Sequence, residues 1–223
     1  AGRGDRALAG RLGHDLTAAR PVLRLRLYSR DTFVDGADQF VLRDVADDLT
    51  AVLCYDLPSN VVTVTGDTLP RWGVPTDELY YQALANQRRA ERGVIEDIDV
   101  GGAIVRAMTG ESYFVASNLL LLGDYIGDEP PLGVIAAVPN RHTLVWHAIT
   151  DPSALRALDA MVVMAASLYA EGPGAISPHL YWWRDGAVRT LPTRETDEHY
   201  EFVPPDDFVD EVLEVLAERA EMN

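Results

Sequence analysis

The chain of 223 residues contains no lysine, because all 19 of its basic residues are arginines. Mechanisms that need a lysine, such as Schiff-base formation or phosphate binding by a P-loop, are therefore excluded. Cys54 is the only cysteine, so the chain cannot form an internal disulfide. It lies in the apolar run Ala51–Tyr55, whereas a reactive thiolate needs polar, electropositive surroundings. The sequence predicts a buried, unreactive thiol.

The motifs of several enzyme classes are missing as well. The sequence has no HExxH or CxxC spacing of zinc sites, no GxSxG of serine hydrolases and no GxGxxG of dinucleotide-binding proteins. We therefore predict no metal ion, no cofactor and no catalytic residue.

Long apolar runs are also absent. Gly, Asp or Pro interrupts each apolar stretch within about ten residues, whereas a membrane-spanning helix needs about 20. The start, Ala1–Asp5, has no apolar region of the kind found in signal peptides. We therefore expect a cytoplasmic protein that does not enter a membrane.

Acidic residues are in excess. The 35 aspartates and glutamates give a formal net charge of −16. From Thr193 to Asn223 there are eleven acids and two arginines. Charge of this sign repels nucleic acid and anionic membranes, so we exclude both as partners. The acidic segment is typical of a solvated helix with a polar linker, and it also suits attraction of a basic protein.

Hydrophobic periodicity predicts an α+β fold, with antiparallel sheets and helices packed on one face. Alternating leucines and arginines indicate a strand over Val22–Tyr28. The clearest unit covers residues 134–191, where a helical stripe at 152–170 lies between two predicted hairpins. Its order is strand, strand, helix, strand, strand. A helix laid across such a sheet buries the apolar faces of both.

The flanking sequence contains further predicted elements. They are a helix over 6–19, a hairpin of 51–57 and 61–65, a helix from about 76 to 92, a strand at 112–116 and a helix over 206–222. We divide the chain into 1–65 (helix and strands), 66–192 (an α+β core) and 193–223 (acidic linker and helix). Two packed α/β lobes plus an acidic C-terminal helix are preferred, with one compact domain as the alternative. The sequence does not determine the oligomeric state.

Several short segments occur in the order found in one bacterial protein family. They are Leu69–Val74, Ala83–Asn86, Tyr113–Ser117, Ala136–Arg141, Leu144–Trp146 and Ser177–Trp182. Over about residues 60–192 the chain thus resembles the YtpQ family of uncharacterised bacterial proteins. The resemblance implies a bacterial cytosolic protein of α+β type, but no reaction and no catalytic residues. Where the family pattern has an aspartate after the Asn-Arg pair, this chain has His142.

The predicted binding residues lie at two positions. Asn140, Arg141 and His142 occupy the tip of a predicted hairpin, where the asparagine suits the turn and the guanidinium could bind a carboxylate. Trp182 and Trp183 are adjacent in a predicted strand, so one of them must point outwards or cover a second layer, and an outward tryptophan would mark an interface. The alternative is that the C-terminal acidic helix covers the outward tryptophan.

Two functions are consistent with these observations. We favour a non-enzymatic protein-binding module, an adaptor or an inhibitor of the immunity-protein type, whose acidic surface meets another, basic protein. The alternative is a hydrolase or transferase that uses Arg141, His142 or His147 together with an acid such as Asp97. The enzyme needs these residues in one pocket, within about 10 Å of one another.

Overall fold

The structure, a computed structural model, describes residues 3–90, 92–196 and 200–221. The chain divides into two compact units. The first comprises Ala1–Asp44 and Leu49–Arg92, and the second comprises Val45–Asp48 and Gly93–Asn223.

This division differs from the predicted segments 1–65 and 66–192. The helix that follows residue 75 packs on a strand of the first unit, so the boundary falls after Arg92. The predicted acidic segment 193–223, as far as it is described, belongs to the second unit, because its apolar face is part of that unit's core.

The first unit combines helices with a four-stranded sheet. Its helices are α1 (Arg3–Leu12), α2 (Leu16–Ala19), α3 (Leu69–Trp72) and α4 (Thr76–Arg89), with 3₁₀ turns at Arg20–Val22, Arg30–Phe33, Ala37–Gln39 and Gly66–Thr68. Its strands are β1 (Leu23–Ser29), β2 (Leu42–Ala46, of which the last two residues are assigned to the second unit), β3 (Leu49–Leu57) and β4 (Asn60–Thr63). β3 pairs with β1, β2 and β4. The single helix predicted over 6–19 is instead two, interrupted at Gly13 and His14.

The alternation in β1 places its leucines in the core, as predicted. Leu23, Leu25 and Leu27 are at most 2% exposed. α4 lies against β1 and buries a stripe that includes Leu79 and Ala83. The helix can pack there because residues three to four apart share one helical face.

Arg24 is buried although it alternates with the leucines of β1. Its side chain donates from Nε to Gln87 Oε1 at 2.7 Å and from Nη1 to Asp56 Oδ2 at 3.2 Å. Burial lowers the pKa of Arg24, and the Asp56 carboxylate opposes that shift. The arginine therefore links β1 to α4 through polar contacts.

Cys54 is fully buried in β3, as predicted. Burial raises the pKa of its thiol to about 12, so almost no thiolate exists near neutral pH. We expect the native protein to resist alkylation by iodoacetamide at about pH 8 and to be labelled readily in denaturing urea. Mass spectrometry measures both reactions. Labelling of the native chain as fast as that of a free cysteine peptide would contradict this expectation.

The second unit contains the larger sheet. Its strands are β5 (Val94–Val100), β6 (Ala103–Thr109), β7 (Val134–Ala137), β8 (Thr143–Ala148), β9 (Leu180–Arg184), β10 (Ala187–Leu191), β11 (Thr193–Glu195) and β12 (Tyr200–Phe202). Its helices are α5 (Gly123–Ile126), α6 (Ala154–Glu171), α7 (Asp206–Phe208) and α8 (Glu214–Glu221), with a 3₁₀ helix at Ala116–Leu121 and a π-helical turn at Val209–Leu213.

Six of these strands form one antiparallel sheet in the order β10-β9-β7-β8-β6-β5. The predicted series of strand, strand, helix, strand, strand is confirmed by β7, β8, α6, β9 and β10. Asp185 and Gly186, with φ of 51° and 75°, make the turn between β9 and β10. A two-residue hairpin turn requires this left-handed backbone. The α+β class is therefore confirmed.

Both faces of this sheet are covered. On one face, Val105 and Val145 pack with Ala157 and Met161 of α6 in the main core. The other face carries Trp146, whose ring contacts Tyr125 of α5 at 6.2 Å between centroids, and the 3₁₀ helix Ala116–Leu121 lies against β8. The predicted strand at 112–116 is wrong, because this segment leads into the 3₁₀ helix instead. The prediction that helices pack on one face of the sheet therefore holds only for the face that forms the main core.

The C-terminal helices follow the predicted acidic helix over 206–222, with a π-helical turn between α7 and α8. Phe208, Val212 and Leu216 are each at most 1% exposed and join the core of the second unit. In the described parts of the chain, no helix is long and apolar enough to cross a membrane.

Candidate functional site

Asn140, predicted as a binding residue, serves the turn between β7 and β8. It is 3% exposed. Its Nδ2 donates to the Leu168 carbonyl at 3.1 Å, and its Oδ1 accepts the backbone N–H of His142 at 3.0 Å. Nδ2 thus joins this turn to α6, and Oδ1 closes the turn itself.

Arg141 and His142 hold each other in place. We assign the proton of His142 to Nδ1, which donates to the Gly110 carbonyl at 2.9 Å. Nε2 then accepts from Arg141 Nε at 2.8 Å. The guanidinium also lies over the Tyr113 ring, 4.4 Å from its centroid. Because both imidazole nitrogens are engaged, this pair has a structural role in the turn.

Trp182 and Trp183 are both buried, so neither points outwards to mark an interface. Trp182 is 3% exposed, donates Nε1–H to the Leu132 carbonyl at 2.9 Å, and meets the Phe208 ring at 5.4 Å. Phe208 of the acidic C-terminal segment packs on Trp182 in the main core, whereas Trp183, on the other face of the sheet, lies beside Gly123. The two rings form no exposed aromatic surface.

A cavity of about 570 Å³, here called the β6–β8 cleft, opens where β6 and β8 part. The ladder between these strands ends at the pair Arg106 and Trp146, although both strands continue beyond it. The strands contribute Ile104, Arg106, Trp146 and His147 to the lining, and the loops contribute Asp128, Glu129 and Asp151. Cavities of this size hold small molecules in many proteins.

His147 lies where β6 and β8 separate, and it is 6% exposed. Its Nδ1 bonds the Ile104 carbonyl at 2.8 Å, beyond the last ladder pair of β6. A carbonyl can only accept, so Nδ1 carries a proton, and in the neutral imidazole Nε2 then carries the lone pair. Nε2 is buried and has no hydrogen-bond partner among the described residues. Such an acceptor costs about 1–3 kcal/mol, and a ligand donor would remove that cost.

Asp151 supplies a fixed negative charge at the cleft. Its Oδ1 accepts the Ser153 N–H at 2.8 Å, and its Oδ2 accepts the Thr150 hydroxyl at 3.1 Å. Hydrogen bonds from the side chain and backbone of Ser153 are the main reason that the pKa of Asp151 is lowered, and Thr150 adds to them. α6 begins at Ala154, and Asp151 bonds the turn that precedes it.

Two other charged side chains of the cleft, Glu129 and Arg106, bond residues that do not line it. Glu129 Oε1 accepts the backbone N–H of Asp185 at 2.6 Å, while Asp128 is exposed. Arg106 donates from Nε to Asp97 Oδ1 at 3.3 Å. The cleft therefore offers three carboxylates and an arginine that is already paired with an acid.

The residues predicted for an enzyme do not meet in one pocket. His147 lines the β6–β8 cleft, but Arg141 and His142 do not. Five residues of extended strand separate the two histidines by about 16 Å. Asp97 bonds Arg106 but does not line the cleft. Within residues 3–90, 92–196 and 200–221, no group of three or more His, Cys, Asp or Glu could hold a metal ion.

Sequence reasoning identified His147 only within the enzyme alternative and missed Asp128, Glu129 and Asp151 as site residues. No motif marks the cleft, because its members come from two strands and two separate loops. The one local signal is a histidine inside the otherwise apolar strand Thr143–Ile149.

Comparison of the chain with family models, curated proteins and solved structures finds no match. The resemblance to the YtpQ family therefore stays a prediction, and the function is argued from the site itself.

Proposed function

We propose that the second unit binds a small molecule in the β6–β8 cleft, without covalent chemistry. One observation carries the proposal: His147 lines this cavity, and its buried Nε2 has no partner among the described residues. Native proteins rarely leave a buried acceptor unpaired. An N–H or O–H group of a ligand is the partner that Nε2 can accept.

Binding suits the cleft better than catalysis. A nucleophile activated by His147 would have to lie within hydrogen-bond reach of Nε2. The Thr150 and Ser153 hydroxyls, the nearest candidates along the chain, instead bond Asp151. Arg141 and His142 are engaged with each other away from the cleft. The groups that remain are suited to hold a ligand.

Ligands should be detectable at Trp146, because this residue lines the cleft together with His147. We expect compounds from a library of small neutral and charged fragments to shift the indole NMR signal of Trp146. His147→Phe removes Nε2 and fills the inner cleft, so it should abolish these shifts. The matched control His142→Gln changes a histidine outside the cleft and should retain them.

Thermal unfolding of both variants shows whether each remains folded. The proposal fails if no fragment moves the Trp146 signal. It also fails if fragments act on folded His147→Phe as they act on the unchanged chain.

Protein binding through an acidic surface is a second candidate. Asp210, Glu214 and Glu218 follow one another at four-residue intervals on the exposed side of the C-terminal helices. In the described part of the chain they make no ion pair, whereas Glu211 pairs with Arg184. Together with the chain's net charge of −16, this stripe supports an adaptor or inhibitor in the cytoplasm that attracts a basic protein. Nucleic acid and anionic membranes would be repelled by the same charge.

A further inference from the structure

We infer that the ligand of the β6–β8 cleft is a small organic cation, an amidinium, guanidinium or ammonium group on an apolar body. The inference rests on the proposed function and extends it by assigning the charge and shape of the ligand. It follows from the hydrogen-bond acceptors, the charges and the apolar wall of the cleft.

The cleft is rich in acceptors. Nδ1 of His147 donates its proton to the Ile104 carbonyl, so Nε2 of the neutral imidazole is an acceptor. The carboxylates of Asp128, Glu129 and Asp151 also accept. A carboxylate or phosphate ligand without a proton has nothing to donate to these atoms. The ligand must supply N–H or O–H donors, and a cationic nitrogen supplies several at once.

The charges of the cleft favour a cation over a neutral donor. Three carboxylates line the cavity, while its lining arginine, Arg106, bonds Asp97 at 3.3 Å. Hydrogen bonds from a charged donor to a carboxylate are shorter and stronger than neutral ones. Partial enclosure between the strands strengthens them further, because water screens the charges less.

An apolar wall faces the same space. Ile104 is 45% exposed although its strand lies inside the sheet, between β5 and β8. Ile126, Pro130 and Pro131 line the cavity with it. An apolar body placed there would remove from water a surface that the folded chain leaves exposed. A bare metal ion or ammonium would not use this wall.

Benzamidine, benzamide and benzoate test the inference, because they share one ring and differ in charge. Isothermal titration of the full chain at low ionic strength measures their affinities. We expect benzamidine to bind, benzamide to bind about tenfold more weakly or worse, and benzoate not to bind. Benzamidine should also shift the Trp146 signal, since Trp146 lines the same cleft.

Two matched double variants locate the cation. Asp128→Asn/Glu129→Gln removes two charges from the cleft and keeps an oxygen that accepts the Asp185 N–H, so benzamidine affinity should fall about tenfold. Asp210→Asn/Glu214→Gln removes two charges from the exposed helix outside the cleft, and the affinity should change by no more than about twofold. Equal losses in the two variants would overturn the inference, because they indicate general attraction by the acidic chain.

The outcomes separate this inference from the proposed function. If benzamide or benzoate binds as tightly as benzamidine and shifts the Trp146 signal, the inference that the ligand is a cation is wrong, and the proposal that the cleft binds a small molecule stands. If these compounds and the fragment library all leave the Trp146 signal unmoved, the inference and the proposed function both fail.

A tri-arginine peptide distinguishes two sources of the cation. If it binds more tightly than benzamidine, and this binding is lost in Asp128→Asn/Glu129→Gln, the ligand is an arginine of a basic protein. If it binds more weakly, the ligand is a free small cation.

Discussion

Replacing Phe208 with alanine is expected to lower the free energy of unfolding of the second unit by about 3–5 kcal/mol. The Phe208 ring is fully buried and lies 5.4 Å from the Trp182 ring and 5.9 Å from the Phe202 ring, between centroids. Truncation removes these contacts and leaves a cavity in the core that α6 shares with the sheet. It also uncovers Trp182, which the C-terminal segment otherwise shields.

Urea unfolding followed by tryptophan fluorescence measures this loss, because Trp146, Trp182 and Trp183 lie in the second unit. Val163→Ala is the control, since Val163 is 68% exposed on α6 and its truncation should change stability by less than about 0.5 kcal/mol. A Phe208→Ala loss no larger than that of the control would show that α7 does not close the core.

Asp48 is the second position where a large effect is expected: its replacement by alanine should cost about 2–4 kcal/mol. Its Oδ2 accepts the Ser177 and Tyr181 hydroxyls and its Oδ1 accepts the Thr190 hydroxyl, each at 2.8 Å. Ser177 and Tyr181 are at most 1% exposed, so alanine leaves two buried hydroxyls without this acceptor. Burial and the Asp48 charge raise the pKa of Tyr181 well above its ordinary value, so the phenol keeps the proton it donates.

Asp47→Ala is the matched control, because Asp47 is the exposed neighbour with the same charge. Its effect should stay within about 0.5 kcal/mol. In the Tyr181→Phe background, the cost of Asp48→Ala should fall by about 1 kcal/mol, since one of the three hydrogen bonds is already gone. Additive losses in this double-mutant cycle would contradict a direct bond between the two side chains.

Neither the hydrogen bonds around Asp48 nor the β6–β8 cleft lies at the binding site that the sequence predicts, and both differences have one reason. The sequence predicts a binding site at the hairpin tip of Asn140, Arg141 and His142, because polar residues interrupt an apolar pattern there. The structure uses these residues to hold that turn together. A polar residue in a turn is often engaged by nearby backbone, and only its actual neighbours show whether it remains available.

Trp182 and Trp183 show that the exposure of apolar residues also depends on their actual neighbours. Adjacent residues in a strand do point to opposite faces, so one of Trp182 and Trp183 had to leave the main core. Its exposure depended on the second face of the sheet, which α5 and the preceding 3₁₀ helix cover. That cover comes from a segment whose leucine run, Leu119–Leu122, has no periodicity that distinguishes strand from helix.

By itself, the amino-acid sequence determined the α+β class, the order of strand, strand, helix, strand, strand, the Asp185-Gly186 turn and the buried thiol of Cys54. Each depends on local periodicity, on turn chemistry or on immediate neighbours, all of which a short stretch of sequence contains. Only the tertiary structure decided that β6 parts from β8 at Trp146, and that His147 bonds the carbonyl of Ile104, 43 residues earlier. It also brought Asp128, Glu129 and Asp151 to the same cleft. Contacts between residues so far apart leave no local pattern, because they arise from packing and strand register.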